Sequence, residues 1–204
     1  MASDVDYKKV KSVAIVLAAG SSSRMGQSKQ LLKVGNESLL KRTIRTVLDT
    51  DVDATIVVLG SNQQVHQKEI CDFPIHVINN EHWQNGMGSS LKSGTYYANV
   101  QFPLCESILV TVSDQPLLTS DHLNRLLEAS QSTKNQIIAS FYSGSPGVPA
   151  LFNRSMFQML LELSDQHGAK QIIAENINAA NLIDFPEGAI DLDTPDDWKK
   201  FLQS

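Results

Sequence analysis

Residues 13–29 read VAIVLAAGSSSRMGQSK. Five apolar residues, VAIVL (13–17), run straight into small ones and then into an arginine, a glycine and a lysine. An apolar run without polar alternation is how a strand buried on both faces of a parallel sheet reads. In an open α/β sheet, ligands bind beyond the carboxyl ends of the strands, and the loop after Leu17 occupies that place. Gly20, Ser21, Ser22 and Ser23 keep side chains short, so backbone N–H groups can approach an anion and hydroxyls can add donors. Arg24 offers a planar fork for phosphate and Lys29 a compact point charge. The same residues also describe a plain surface loop with two solvated cations.

Outward from this stretch the pattern repeats. ATIVVL (54–59), IHVI (75–78), SILVTV (107–112) and QIIAS (136–140) have the same buried-strand composition. Between them SLLKRTIRTVLD (38–49) puts Leu39, Leu40, Ile44, Val47 and Leu48 on one helical face. Helices are also expected after Asn62 and over residues 88–98, 119–130 and 155–163, with Thr119 or Ser120 and Asn153 or Ser155 as amino-terminal caps. Strands alternating with helices predict right-handed crossovers and a doubly wound α/β fold with a mostly parallel sheet. YSGSPGVP (142–149) is the one Gly/Pro-rich break and reads as a functional loop inside one domain spanning 1–204, since only about 55 residues follow it, few for a second domain. The tail, from Asn181, reads as strand, turn, short strand and closing helix, with Pro195 in the first helical turn and Asp196 and Asp197 at the positive end of its dipole.

Composition narrows the function. The 204 residues are 42% hydrophobic and 19% charged with a net charge of −5, so no global basic field argues for nucleic acid. No run reaches the ~20 apolar residues that span a bilayer, and the amino terminus lacks the apolar segment of a signal peptide, so a cytoplasmic protein without membrane contact is expected. Cys71 and Cys105 form neither a disulfide framework nor a CxxC metal knuckle.

The same sheet edge carries an acid. SILVTVSDQP places Asp114 just past a buried strand, and Pro116 stops the pairing. An aspartate there commonly closes an Asx turn. Facing a cationic loop, it also suits Mg²⁺ held jointly with phosphate oxygens, because Mg²⁺ usually takes only one or two protein carboxylates. In IDLDTPDD, Asp191 and Asp193 alternate with Ile190 and Leu192 and supply further candidates, or simply an acidic turn before the last helix. NNEHWQNGMGSSLKSG (79–94) puts the amides of Gly88, Ser89 and Ser90 at a helix start, and Trp83 is either a stacking platform or core.

Several motifs are excluded. Gly20 and Gly26 are six apart and Lys29 does not follow a glycine, so there is no GxxxxGK[ST] loop, and the GxGxxG dinucleotide fingerprint is missing. The serine pairs Ser21–Ser22 and Ser89–Ser90 have no GxSxG elbow. Of the five histidines, His66 and His76 read as structural or surface, while His82 and His167 fall in loops near the site edge.

Taken together and in order, these segments resemble the MobA-like nucleotidyltransferase family, and within it the branch that transfers a cytidylyl group to the molybdenum cofactor. LAAGSSSRMGQSKQLL (17–32) is similar to the family pattern LAAGxSxRMGxxKxLL. The 79–94 segment, SDQP and IDLDTPDDW resemble its N…W..GM.SSL..G, GDQP and DIDTPEDL stretches.

The resemblance implies a three-layer Rossmann-like nucleotide-diphospho-sugar transferase fold and transfer of a nucleotidyl group from a nucleoside triphosphate to a phosphorylated acceptor. It implies that Arg24 and Lys29 hold the triphosphate and that Asp114 and Asp193 hold Mg²⁺. Arg24, Lys29 and Asp114 are thus the expected catalytic groups. Leu17, Ala18, Ala19, Gly20, Ser21, Ser22 and Ser23, with Gly86, Met87, Gly88, Ser89 and Ser90, would bind the nucleotide. Guanine-using relatives carry LAGG where this chain has Leu17-Ala18-Ala19-Gly20; the Ala19 methyl would narrow the pocket and favour CTP. Molybdopterin is the expected acceptor, with a molybdoenzyme as a partner downstream.

Three positions depart from the family pattern: Ser113 for the glycine of GDQP, Val148 for a histidine before Pro149, and Asp165-Gln166 for Gly-Asp ahead of the Gly-Ala pair. The last two lie in loops expected to face the acceptor, so a sugar or alcohol phosphate stays open as its identity. GTP as the donor, and a non-catalytic cofactor-binding maturation factor, stay open as well.

Overall fold

The structure is a computed structural model that describes residues 9–22, 25–190, 192 and 194–203. Its centre is β1 (Ser12–Ala18), in which every residue from Val13 to Ala18 is buried. The strand has no polar face because both faces are covered. Val13, Ile15 and Leu17 belong to one apolar cluster, and Ala14, Val16 and Ala18 to another. After β1, β2 (Lys33–Val34) and β3 (Glu37–Ser38) form a separate antiparallel pair, and β1 itself pairs in parallel with β4 (Ala54–Leu59) on one side and β6 (Ser107–Val112) on the other. β5 (His76–Asn79) adds to β4, again in parallel. The remaining strands of this sheet are β7 (Ile137–Tyr142), β8 (Ser145–Asn153) and β9 (Ala180–Asp184), and the sheet order is β5-β4-β1-β6-β8-β7-β9. Only β8 runs antiparallel, pairing with both β6 and β7. The expected doubly wound α/β fold with a mostly parallel sheet is what the chain forms.

Helices cover both faces. α1 (Leu39–Leu48) buries Leu40, Ile44 and Val47 on the side of Ala14 and Val16, where α4 (Ser120–Ser132) buries Leu123 and Leu126. The Thr119 hydroxyl accepts from His122 N–H as the expected cap of α4. On the other side lie α3 (Met87–Gln101), α5 (Phe157–Glu162) and α6 (Ala169–Glu175). α3 comes very close to the sheet at Gly94, where a Cβ would stand 2.8 Å from Ile15 and 3.1 Å from Val58.

A third, smaller cluster joins Met25, Leu32 and Leu39 to Leu192 and to Trp198 and Phe201 of α7 (Pro195–Gln203). α7 begins at Pro195, and its start is tied by reciprocal bonds between Thr194 and Asp197. Ile190 and Leu192 belong to no strand, in contrast to the expected short strand there. The segment instead leaves a 3-10 turn over Pro186–Ala189, and burial of Leu192 in that cluster sets its course.

The Gly/Pro-rich break is not a loop but a β-hairpin. Ser143 and Gly144 both have positive φ, +51° and +73°, as the two central residues of a type I′ hairpin turn require. Pro146 and Pro149 lie where β8 runs beyond its pairing with β6, which covers only Ala150 to Asn153, and they sit beside an irregularity in the β7–β8 register after Ala139. Proline is tolerated in a strand at such places because no ladder donor is missed.

Under this hairpin His122 is 4% exposed, stacks on Phe185 at 4.1 Å and bonds the Ser140 hydroxyl at 2.7 Å through Nε2. Burial, assisted by the Arg125 charge, pushes its pKa down to about 4 from 6.5. An unfolded chain therefore takes up a proton near pH 6.5 that the fold refuses until about pH 4, so stability is complete above that window and falls as pH drops through it. Urea unfolding should show a loss of about 2 kcal/mol between pH 7 and 5 from this residue. His122→Gln should flatten that slope, and an unchanged slope would refute the assignment.

Candidate nucleotide-binding site

β1 sends its crossover to β4, while β6 lies on its other side, so the loops leaving β1 and β6 diverge. Beyond their carboxyl ends is a cavity of about 530 Å³. Its walls are Leu17, Ala19, Gly20, Ser21, Ser22, Lys29 and Gln30 from the first loop, Trp83, Gln84, Gly86, Met87 and Ser90 from the start of α3, and Val112, Ser113 and Asp114 from β6. Three separate stretches of sequence thus meet where the strand order reverses, the place such sheets use for ligands.

Lys29 Nζ stands 3.1 Å from Asp114 Oδ2 across the cavity floor, with side-chain exposures of 14% and 30%. The pair joins the first loop to the acid of SDQP. The two residues that follow Asp114 are held by side-chain bonds. Gln115 donates to the Val148 carbonyl at 3.0 Å, and Arg42 of α1 donates to the Pro116 carbonyl at 3.0 Å. The Tyr142 hydroxyl also donates to the Val148 carbonyl, so position 148 is held by its backbone, and its side-chain type does not enter those bonds.

The first loop is shaped by Gln30, only 5% exposed. Its amide nitrogen donates to the carbonyls of Gly20 at 3.0 Å and Ala18 at 3.4 Å. Its oxygen accepts from Ser22 Oγ at 3.1 Å and Ser28 Oγ at 2.8 Å. Lys29 N–H donates to Ser22 Oγ at 2.9 Å, which closes the loop on itself.

The start of α3 is organised differently from the sequence reading. Gly86 caps it with φ +128°. The Gly88 N–H is already bonded to the Asp165 carbonyl at 2.9 Å, and a Cβ on Gly88 would strike the backbone of residues 164–167. Ser89 is buried and bonded to Asn80 and to the carbonyls of His82 and Gly86. Gly88 and Ser89 therefore sit behind the cavity wall, as does Ala18, buried in the core. Asn80, 3% exposed, also donates to Ser90 at 3.0 Å and accepts from His82 N–H at 3.0 Å. The Asp165 carboxyl is held below its usual pKa by the bond to Lys92 and then by that to Asn85. The 164–168 loop thus packs on the start of α3.

Of the expected site residues, Leu17, Ala19, Gly20, Ser21, Ser22, Lys29, Gly86, Met87, Ser90 and Asp114 line the cavity together. Ser23, Arg24, Asp191 and Asp193 lie outside the described residues. His82 and His167 are exposed and line no part of it. Gln30, Gln84, Val112 and Ser113 were not anticipated. Gln30 sits next to a lysine in an apolar-flanked run, and nothing in its spacing signals a buried amide.

For a divalent metal, Asp114 is the one acid on the cavity wall among the described residues. No cluster of three acids, histidines or cysteines occurs among them. One carboxylate beside a phosphate-sized space fits Mg²⁺, which fills its shell with waters and substrate oxygens.

Sheet order and the cavity beyond the ends of β1 and β6 are those of the Rossmann-like nucleotide-diphospho-sugar transferase fold, and the family match that follows makes the chain a nucleotidyltransferase. Residues 14–180 match the MobA-like NTP transferase domain, and the chain belongs to that family. It is 25% identical over 201 residues to the purine catabolism protein PucB of Bacillus subtilis (strain 168), covering 91% of this chain and 93% of that one. It is 26% identical over 185 residues to the molybdenum cofactor cytidylyltransferase of Escherichia coli (strain K12), covering 90% and 92%. Rv0371c of Mycobacterium tuberculosis H37Rv superposes with a TM-score of 0.84 at 24% identity over 96% of this chain and 98% of that one. A second structure of Rv0371c, a complex with manganese, superposes with a TM-score of 0.79 at 23% identity over 95% and 99%.

Trp83 is held against the cavity by the lack of a side chain at Gly60, where a Cβ would be 2.6 Å from Trp83 Cβ and 2.9 Å from Ala19 Cβ. Gly60→Ala should displace the indole and lower stability by about 1–3 kcal/mol. In a Trp198→Phe background, in which Trp83 is the sole tryptophan, the emission maximum should shift. An unchanged spectrum and melting point would contradict the packing described.

Proposed function

We propose that this nucleotidyltransferase moves CMP from CTP to a phosphorylated acceptor with Mg²⁺, releasing pyrophosphate, and that the acceptor is molybdopterin. The observation that carries the reading is the Lys29–Asp114 pair at the floor of a cavity of nucleotide size. Arg24, Lys29 and Asp114 are its catalytic groups, the residues of the cavity wall bind the nucleotide, and Asp114 with Asp193 holds the metal. The base preference rests on Ala19, which lines the cavity together with Trp83 and, like it, lies close against Gly60. The molybdopterin assignment is supported by the Escherichia coli relative, a molybdenum cofactor cytidylyltransferase by name. Divalent-metal use is in keeping with the manganese complex of Rv0371c.

The chemistry asks little of an acid or base. A phosphate monoester has its second pKa near ~6, so at neutral pH its oxygen is already a nucleophile. That oxygen bonds to the α-phosphorus of CTP, the bond from that phosphorus to the oxygen bridging to the β-phosphate breaks, and pyrophosphate leaves with the electron pair. The bound metal would supply neutralisation of phosphate charge and a template for the oxygens. The chain's own part is alignment and electrostatics. Lys29 faces Asp114 across the cavity, and with a triphosphate bound there its ammonium offsets the charge that grows on the departing pyrophosphate. The Ser21 and Ser22 region presents short side chains and backbone donors to the phosphates.

A melting panel with CTP, GTP, UTP and ATP, with and without Mg²⁺, tests this. CTP at ~100 times its dissociation constant should stabilise the fold by about 2.7 kcal/mol, with Mg²⁺ required. Asp114→Ala should lose the Mg²⁺ dependence, and the wild type, but not this variant, should release pyrophosphate from CTP when molybdopterin is added. A larger shift with GTP would overturn the base assignment, and no shift with any nucleotide would overturn the reading as a whole.

A further inference from the structure

Behind the first loop lies a histidine that the chemistry above does not use. His66, on α2 (Gln63–Glu69), is fully buried, and its Nε2 stands 2.7 Å from Ser28 Oγ. Donors and acceptors in this group can be assigned by elimination. The Gln30 nitrogen faces two carbonyls, Ala18 and Gly20, so the Gln30 oxygen faces Ser22 and Ser28. That oxygen only accepts, so the single hydrogen of Ser28 is committed to it. His66 Nε2 must then carry the proton and donate to Ser28. Among the described residues His66 Nδ1 is buried without a hydrogen-bond partner, as suits the bare nitrogen of that tautomer. Burial also lowers the His66 pKa, which keeps the ring neutral.

The chain of donors therefore runs from His66 to Ser28 to Gln30, and the four bonds of the Gln30 amide spread it to Ser22, Gly20 and Ala18. At its end Ser22 has φ +55°, a left-handed conformation uncommon for a serine, and its carbonyl accepts from Met25 N–H at 2.9 Å. Such a conformation persists only where the surroundings over-determine it, and they tend to do so at functional loops.

We propose that His66 is a positioning residue for the triphosphate: acting through Ser28 and Gln30, it fixes Ser22 in the left-handed conformation and sets the loop that carries Lys29. The proposal rests on the nucleotide reading of the cavity. His66 touches no substrate; its effect reaches the phosphates through the loop alone, so it should be felt by a triphosphate and not by the base and sugar.

The test compares CTP with Mg²⁺ and CMP as titrants in calorimetry on wild type, His66→Leu, His66→Gln and Ser28→Ala. His66→Leu removes the donor, His66→Gln can return an N–H to the Nε2 position, and Ser28→Ala cuts the relay without touching α2. His66→Leu and Ser28→Ala should weaken CTP about tenfold, as loss of one ordered bond predicts, while CMP changes less than about twofold. His66→Gln should recover most of the CTP affinity. Hydrogen exchange should quicken in residues 22–30 of the two disabling variants and not elsewhere. Equal weakening of CTP and CMP would make His66 merely structural and overturn the proposal. Normal CTP binding and exchange in Ser28→Ala and His66→Leu would overturn it while leaving the transferase reading intact. Faster exchange in the variants with no CTP binding by wild type would overturn both the transferase reading and the role in positioning phosphate.

Discussion

The structure depends on β1 being hydrogen-bonded on both edges and covered on both faces. With β4 on one side and β6 on the other, its last residues, Leu17 and Ala18, cannot continue the sheet without the chain turning away from one neighbour. The loop after β1 must therefore leave the sheet while the loop after β6 leaves beside it, and the space between them is the cavity. No polar group on a buried strand can be left unpaired at that exit. The carbonyls of Ala18 and Gly20 are met by Gln30, and the Ala19 carbonyl by Ser61 N–H at 3.0 Å. The requirement to satisfy backbone at the strand end and the requirement to shape an anion loop are met by the same residues.

The first loop is held from the outside as well. Met25 and Leu32 share a small apolar cluster with Leu192 and the closing helix, so the first loop and α7 meet next to the site. Met25 directly follows Arg24, and Leu192 lies between Asp191 and Asp193. A cluster separate from the two that flank the sheet thus ties Met25 and Leu32 of the first loop to Leu192 and α7 through apolar packing. The hairpin of β7 and β8 acts on the opposite side. Val148, beside the register irregularity, lends its carbonyl to Gln115 and so steadies the turn that carries Asp114.

Much of this was legible in advance, because strongly patterned segments leave few choices. VAIVL, ATIVVL and SILVTV are apolar without alternation, and only a sheet covered on both sides accepts such strands. Thr119 as a cap and Pro195 at a helix start followed from local hydrogen-bonding chemistry. YSGSPGVP reads as a loop because proline and glycine usually punctuate strands. Two positive-φ residues made it a tight turn instead, with the prolines placed where no ladder donor is missed.

What the sequence by itself determined is the set of parts: the parallel strands β1, β4, β5 and β6 with the helices between them, the small-residue loop after Leu17, the cation Lys29 and the acid Asp114. Local pattern suffices for these because periodicity and turn chemistry act over a few residues. Only the tertiary structure decided how they combine. It put Lys29 and Asp114, 85 positions apart, at 3.1 Å. It gave the Gly88 amide to Asp165 and withdrew Gly88 and Ser89 from the cavity, turned Gln30 inward, and placed His66 beneath the loop, 38 residues beyond Ser28. A buried donor or acceptor takes its role from whichever partner the fold brings within about 3 Å, and that partner is set by packing, not by its neighbours along the chain.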